Sequence, residues 1–102
     1  KRQPLDGRAV TLVRLSGRVR TKSVRRGPTK ESVPMIVLTL YDEERRELGV
    51  VWLGPWTATL RWRRVTRLVQ VPPATREAIV RIGLFGATGT ADFDEVAVEK
   101  ID

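Results

Sequence analysis

Cysteine and histidine are both absent from this 102-residue chain. Their absence removes disulfides, thiol nucleophiles, His or Cys metal ligands, the Ser-His-Asp triad and the commonest general base. Most familiar catalytic constellations are thereby excluded. No apolar run approaches the ~20 residues that a membrane helix needs, so no membrane insertion is expected, and no signal-peptide pattern opens the chain. Helical periodicity, internal repeats and low-complexity tracts are missing too. The chain starts at Lys1 rather than at a methionine, so the expectation is a domain excised from a longer protein. Its length sets a single domain over residues 1–102. Such a domain buries roughly 60–70% of its unfolded surface, enough for a core between two sheets.

Arginine is what the chain has in excess. It holds 15 Arg and 4 Lys against 12 Asp+Glu, a net charge of +7 and a pI near 11.0. That balance makes a polyanion partner physically reasonable. The acidic residues are interspersed rather than segregated, however, which equally suits a solvated mixed surface. The arginine skew also fits genome composition, or the arginine-rich surface ion pairs reported in some thermophile families.

Period-two alternation dominates the chain. Over residues 9–21, Val13, Leu15, Gly17 and Val19 fall on one face and Arg14, Ser16, Arg18 and Arg20 on the other, which predicts a strand buried on one side. Residues 22–34 are polar, hold Gly27, Pro28 and Pro34, and read as a loop. A strand follows over 35–41 with Ile36, Leu38 and Leu40 inward, and a charged turn over 42–47 leads back into a strand over 48–53. WTATLRW (56–62) reads as a connection between strands, and the next strand is predicted over 63–71. Its odd positions, Val65, Arg67, Val69 and Val71, form the core face. Arg67 is a misfit there, explained either by a place at the sheet rim or by a bulge that shifts the phase. Ala78, Val80, Ile82 and Leu84 then alternate against Ile79, Arg81, Gly83 and Phe85. A turn over 86–89 precedes a last strand carrying Phe93, Asp94, Val96 and Val98.

Flat aromatic rings stack on the C–H face of a sugar while neighbouring polar groups bond its hydroxyls. The candidates are Tyr41, Trp52, Trp56, Trp62 and Phe85. Trp52 runs in phase with Leu48 and Val50, which predicts core. Trp56 follows Gly54-Pro55 in a loop and is the surface candidate, packing over the end of the fold being the alternative. Arg18, Arg20 and Tyr41 are its polar neighbours if folding brings them close. The row Arg14, Arg18 and Arg20 suits carboxylate, sulfate or phosphate, or simply a solvated sheet face. Asp92 and Asp94 lie two apart on one strand and point one way, unlike the flanking pair of a glycosidase. Gly86-Ala87-Thr88-Gly89 is followed by a strand and by no Lys-Ser or Lys-Thr, so it is a turn rather than a phosphate loop. No RNA-recognition sheet, helix-turn-helix or zinc finger is present, which leaves nucleic acid a minor reading.

LSGRVRT (15–21), LYDEERRELG (40–49) and the stretch 69–99 follow one another in an order that resembles the back half of a galactose-binding-domain-like β jelly roll. The chain looks most like carbohydrate-binding-module families four and nine, which are appended to bacterial glycoside hydrolases and surface proteins. The resemblance implies an all-β antiparallel sandwich, a polysaccharide or oligosaccharide partner, no catalysis of its own, and a secreted or cell-surface parent. Leu5-Asp6-Gly7-Arg8 resembles the connector before the strand carrying LSGRVRT, which implies a jelly roll of five to six strands lacking its N-terminal strands. Trp62 matches a tryptophan that packs structurally in the family. Asp94, in FDEV, matches an aspartate that ligates a structural calcium, although the companion ligands of the family's N-terminal segment are missing. Hydrogen bonds to amides of the turn before the last strand would serve Asp94 equally well.

Three functions remain at this point. The first is a non-catalytic carbohydrate-binding module, the second a structural or protein-interaction module without a sugar site, and the third an electrostatic binder of acidic glycan or nucleic acid. Missing strands would leave an open edge, and residues 1–8 read as too short and polar to cover it. Homodimerisation, or docking to another domain of the parent protein, is therefore expected.

Overall fold

Alternating valine, leucine and arginine make Leu12–Arg25 the spine of the fold. In the computed structural model, which describes residues 2–101, this 14-residue strand is β2, and it pairs on both sides. The other strands are β1 (Arg2–Pro4), β3 (Met35–Tyr41), β4 (Glu47–Leu53), β5 (Ala58–Gln70), β6 (Glu77–Gly83) and β7 (Thr88–Lys100). They form a four-stranded sheet ordered β1-β6-β3-β4 and a three-stranded sheet ordered β5-β2-β7, with every pairing antiparallel. The expected two-sheet β-sandwich is observed. No helix among the described residues is long and apolar enough to cross a membrane.

The core lies between the two central strands. Val13, Leu15 and Val19 of β2 and Ile36, Leu38 and Leu40 of β3 are buried, each contributing about 1.5–3 kcal/mol. At Gly17 the sheets pack tightly, since a Cβ there would stand 2.7 Å from the Ile36 methyl carbon Cδ1. The β3–β4 hairpin forms as read, its tip organised by Asp42, whose carboxylate accepts the amides of Glu44 (2.9 Å) and Arg46 (2.8 Å). The Arg46 amide, with help from its guanidinium, holds the Asp42 carboxyl below the usual carboxylate range.

Three expectations are corrected. Strand β2 runs on to Arg25 and buries Val24, so the loop begins later than residue 22. Strand β5 begins at Ala58, so most of WTATLRW is strand rather than connection. The seven strands exceed the five to six expected, because the N-terminal segment does contribute. β1 pairs with β6, the Leu5 amide donates to the Arg76 carbonyl (3.1 Å), and the Leu5 side chain sits in the core.

Both outer strands of the smaller sheet, β5 and β7, are 13 residues long and pair on one side only. On the β5 side Arg67 stands at the rim, its guanidinium bonded to the Trp52 carbonyl (3.1 Å), which resolves the misfit in favour of the rim. On the β7 side the two sheets part. Val80 and Ile82 of β6 face Val96 and Val98 of β7 across an open cleft of about 380 Å³. Ile82 is 50% exposed although it shares the inward face with Ala78.

Candidate functional site

The row of Arg14, Arg18 and Arg20 lies on the outer face of β2, as its alternation requires, and the neighbouring strand supplies a ring. Val19 pairs with Arg63 and Thr21 with Leu60, so that Arg61 and Trp62 together stand opposite Arg20 alone. This is a β-bulge, which twists the strand and re-aims a side chain. Thr21 fixes it from the buried face, its hydroxyl accepting the Leu60 amide (3.1 Å) and donating to the Ala58 carbonyl (3.2 Å). Trp62 then meets two guanidinium carbons, those of Arg18 and Arg20, at 5.0 and 4.8 Å from the ring centroid. Each contact contributes about 0.5–1 kcal/mol at an exposed position.

Arg20 is held on its other side by Asp92 of β7, which accepts from both Nε (3.1 Å) and Nη2 (2.9 Å). Farther along, Arg64 of β5 forms an ion pair with Glu95 of β7. Arg18 has no ion-pair partner among the described residues, so its charge faces water and the ring. Beyond Arg20 an open groove of about 530 Å³ is lined by Lys22, Thr59, Arg61, Thr90 and Asp92. Three cations, Arg20, Lys22 and Arg61, face one carboxylate there. The face therefore joins a ring that is 37% exposed to a shallow cationic groove flanked by hydroxyls.

The other expected site residues lie elsewhere. Trp56 is 7% exposed and belongs to the core, its ring centroid 6.2 Å from that of Phe93. The loop turns inward after Gly54, where a Cβ would come within 3.1 Å of the Pro34 carbonyl oxygen, and the Trp56 amide donates to that same oxygen (3.4 Å). Trp56 thus offers no ring to a ligand. Tyr41 ends β3 on the opposite sheet, half-buried, its hydroxyl accepting from Arg81 (3.5 Å). It is no neighbour of Arg18 or Arg20. Trp52, expected in the core, is 47% exposed, because Val51 and Leu53 face β3's buried leucines and isoleucine and turn Trp52 outward. Beside it, Val33, Met35 and Pro55 line a shallow apolar depression of about 390 Å³.

Asp94 is exposed and accepts the amide of Glu95 (2.8 Å), a residue held at a φ of 51° where β7 bulges. Its role is to cap that bulge. No group of three or more acidic side chains able to hold a metal ion forms around it among the described residues.

Comparison with protein-family models gives no match. A search of the curated proteins likewise gives none.

Trp62, one of the candidate rings in the sequence but assigned a structural packing role by the resemblance, is the ring that the outer face presents. Its signal was present in the alternation Trp62, Arg64, Thr66, Leu68, the outward set of a strand that starts earlier than residue 63.

Proposed function

We propose that this chain is a non-catalytic carbohydrate-binding module whose ligand lies on the outer face of the three-stranded sheet and carries acidic groups. The observation that carries this reading is Trp62 flanked by Arg18 and Arg20 at the mouth of a cationic groove. An indole ring supplies the stacking surface for a pyranose, and guanidinium groups bond carboxylate or sulfate in a fork geometry. Asp92, engaged by Arg20, orients that guanidinium instead of acting as an acid or base.

The jelly-roll class is supported by the pairing order. In that architecture a long hairpin is wrapped around a sandwich, so strands pair in nested fashion. Here β3 pairs with β4, β2 with β5 and β1 with β6. Only β7 has no nested partner, as in a jelly roll short of its first strand.

The test is titration calorimetry of acidic and neutral oligosaccharides against the chain and its Trp62→Ala and Arg18→Ala variants. Binding of acidic oligosaccharide should fall at least about tenfold in each variant, equivalent to about 1.4 kcal/mol. Stability should fall by no more than about 2 kcal/mol in Trp62→Ala, which removes both guanidinium contacts, and by about 1 kcal/mol or less in Arg18→Ala, which removes one. Unchanged affinity in both variants would overturn the reading. Short single-stranded nucleic acid serves as the competing ligand, because its phosphates present the same charge to the groove, and tighter binding of it would favour the electrostatic alternative.

A second reading, an interaction module without a sugar site, is favoured by the unpaired edges of β5 and β7 and the open cleft beside β7.

A further inference from the structure

The two free edges of the three-stranded sheet are oppositely charged. Strand β5 carries Arg61, Arg63, Arg64 and Arg67 and no acidic residue. Strand β7 carries Asp92, Asp94, Glu95 and Glu99, with Lys100 its only cation. Arg61, Arg63, Asp94 and Glu99 have no ion-pair partner within the chain among the described residues. Long unpaired edge strands are templates for pairing with another chain, and although β5 and β7 each bulge, β5 keeps regular register from Arg63 to Gln70 and β7 from Thr90 to Asp94. Pairing β5 with β5, or β7 with β7, sets like charges side by side. Pairing β5 with β7 does the opposite.

We propose that a second copy of this chain adds head to tail, the β5 edge of one molecule joining the β7 edge of the next. Both strands run antiparallel to β2, and so parallel to each other. A copy displaced sideways across the sheet therefore extends it by a parallel ladder. With β2 as the ruler, Arg64 and Asp94 stand at one level, both opposite Arg18, so displacement brings Arg64 of one copy beside Asp94 of the other. Arg61 and Trp62 stand at the level of Asp92. Lys100 meets Val69, both lying opposite Val13, and Glu99 meets Leu68, both opposite Arg14. At these levels no like charges face each other. Such an interface is heterologous, using two different surfaces, and grows into rings or filaments rather than stopping at a dimer. Joined copies would repeat the Trp62 face along one sheet. The inference rests on the edges alone and stands or falls independently of the glycan reading.

Light scattering behind a sizing column tests it with the whole chain. Over about a hundredfold rise in concentration the mass should climb past that of a dimer. Raising salt from about 0.1 to about 1 M shortens the screening length from about 10 to about 3 Å, and should return the protein toward monomer. Two charge-reversed variants, Arg61→Glu/Arg63→Glu on β5 and Asp94→Lys/Glu99→Lys on β7, should each be monomeric alone and co-assemble when mixed. Co-assembly also shows that both variants are folded. Cooperative thermal melts of the separate variants give the same control. A chain monomeric throughout the range at low salt would overturn the proposal. So would association that strengthens with salt, which would point to the apolar cleft, or a dimer indifferent to both charge reversals.

Discussion

Trp56 departs from the part its sequence neighbourhood suggests, and Trp62 follows its own. Trp56 follows Gly-Pro, the usual mark of a surface turn, yet its ring packs on Phe93 and is nearly sealed from water. Turn chemistry describes only the backbone of residues 54 and 55, and where the Trp56 side chain goes depends on Pro34, 22 residues earlier. Trp62 stands between Arg61 and Arg63 and alternates with Arg64, on the face opposite the one that Leu60 and Val65 turn to the core, and its exposure follows from that. Replacing Trp56 with Ala should cost about 3–5 kcal/mol, the range for deleting a large buried aromatic side chain. Urea denaturation, comparing midpoints and slopes with the parent chain, measures it. A loss below about 1 kcal/mol would mean that the ring is dispensable to the core and that Trp56 returns as a surface candidate.

At the scale of the element, β3, β4 and β6 were legible because a clean period of two ends in a turn whose residues show it. Asp42 and the charged tip that follows it mark one such turn, and Gly86 another. β5 was legible only in its second half. Its first half is strand because Thr21, a residue of β2, supplies hydrogen bonds where the ladder shifts register, and sequence cannot show a partner 37 residues away. The candidate site inherits this limit, since the bulge that presents Trp62 is made by two strands together. Thr21→Val keeps the shape of the buried side chain and deletes both bonds, leaving the Ala58 carbonyl and the Leu60 amide without their partner. The expected cost is about 1–3 kcal/mol, the penalty for leaving buried polar groups unsatisfied. Trp62 should also lose its fixed place, so its fluorescence anisotropy should fall in a variant that retains only this tryptophan. Unchanged stability and unchanged anisotropy would show that the ladder holds the bulge without Thr21.

For the molecule as a whole, the sandwich class followed from alternation, while the degree of closure did not. Residues 1–8 lack a period, and only the β6 edge beside them makes Arg2–Pro4 a strand and carries Leu5 inward. The fold that results is unevenly secured. β2 and β3 are paired on both sides and carry the buried faces, whereas β4, β5 and β7 are paired on one side only. Opening free energies should follow that order, because local unfolding is cheapest where few apolar contacts and few shielded hydrogen bonds must be broken. In dilute solution, amide exchange should be slowest at Leu15, Val19, Leu38 and Leu40 and much faster along β5, where most side chains are exposed. Raising the protein concentration at low salt should then slow exchange along β5 and β7 while leaving β4 unchanged. β4 is the internal control, an edge strand of the other sheet whose opposite edge is the three-residue β1. Protection that rose equally in β4 would indicate association through some other surface, and β5 amides as slow in dilute solution as those of β2 would show that its edge is already closed within one molecule.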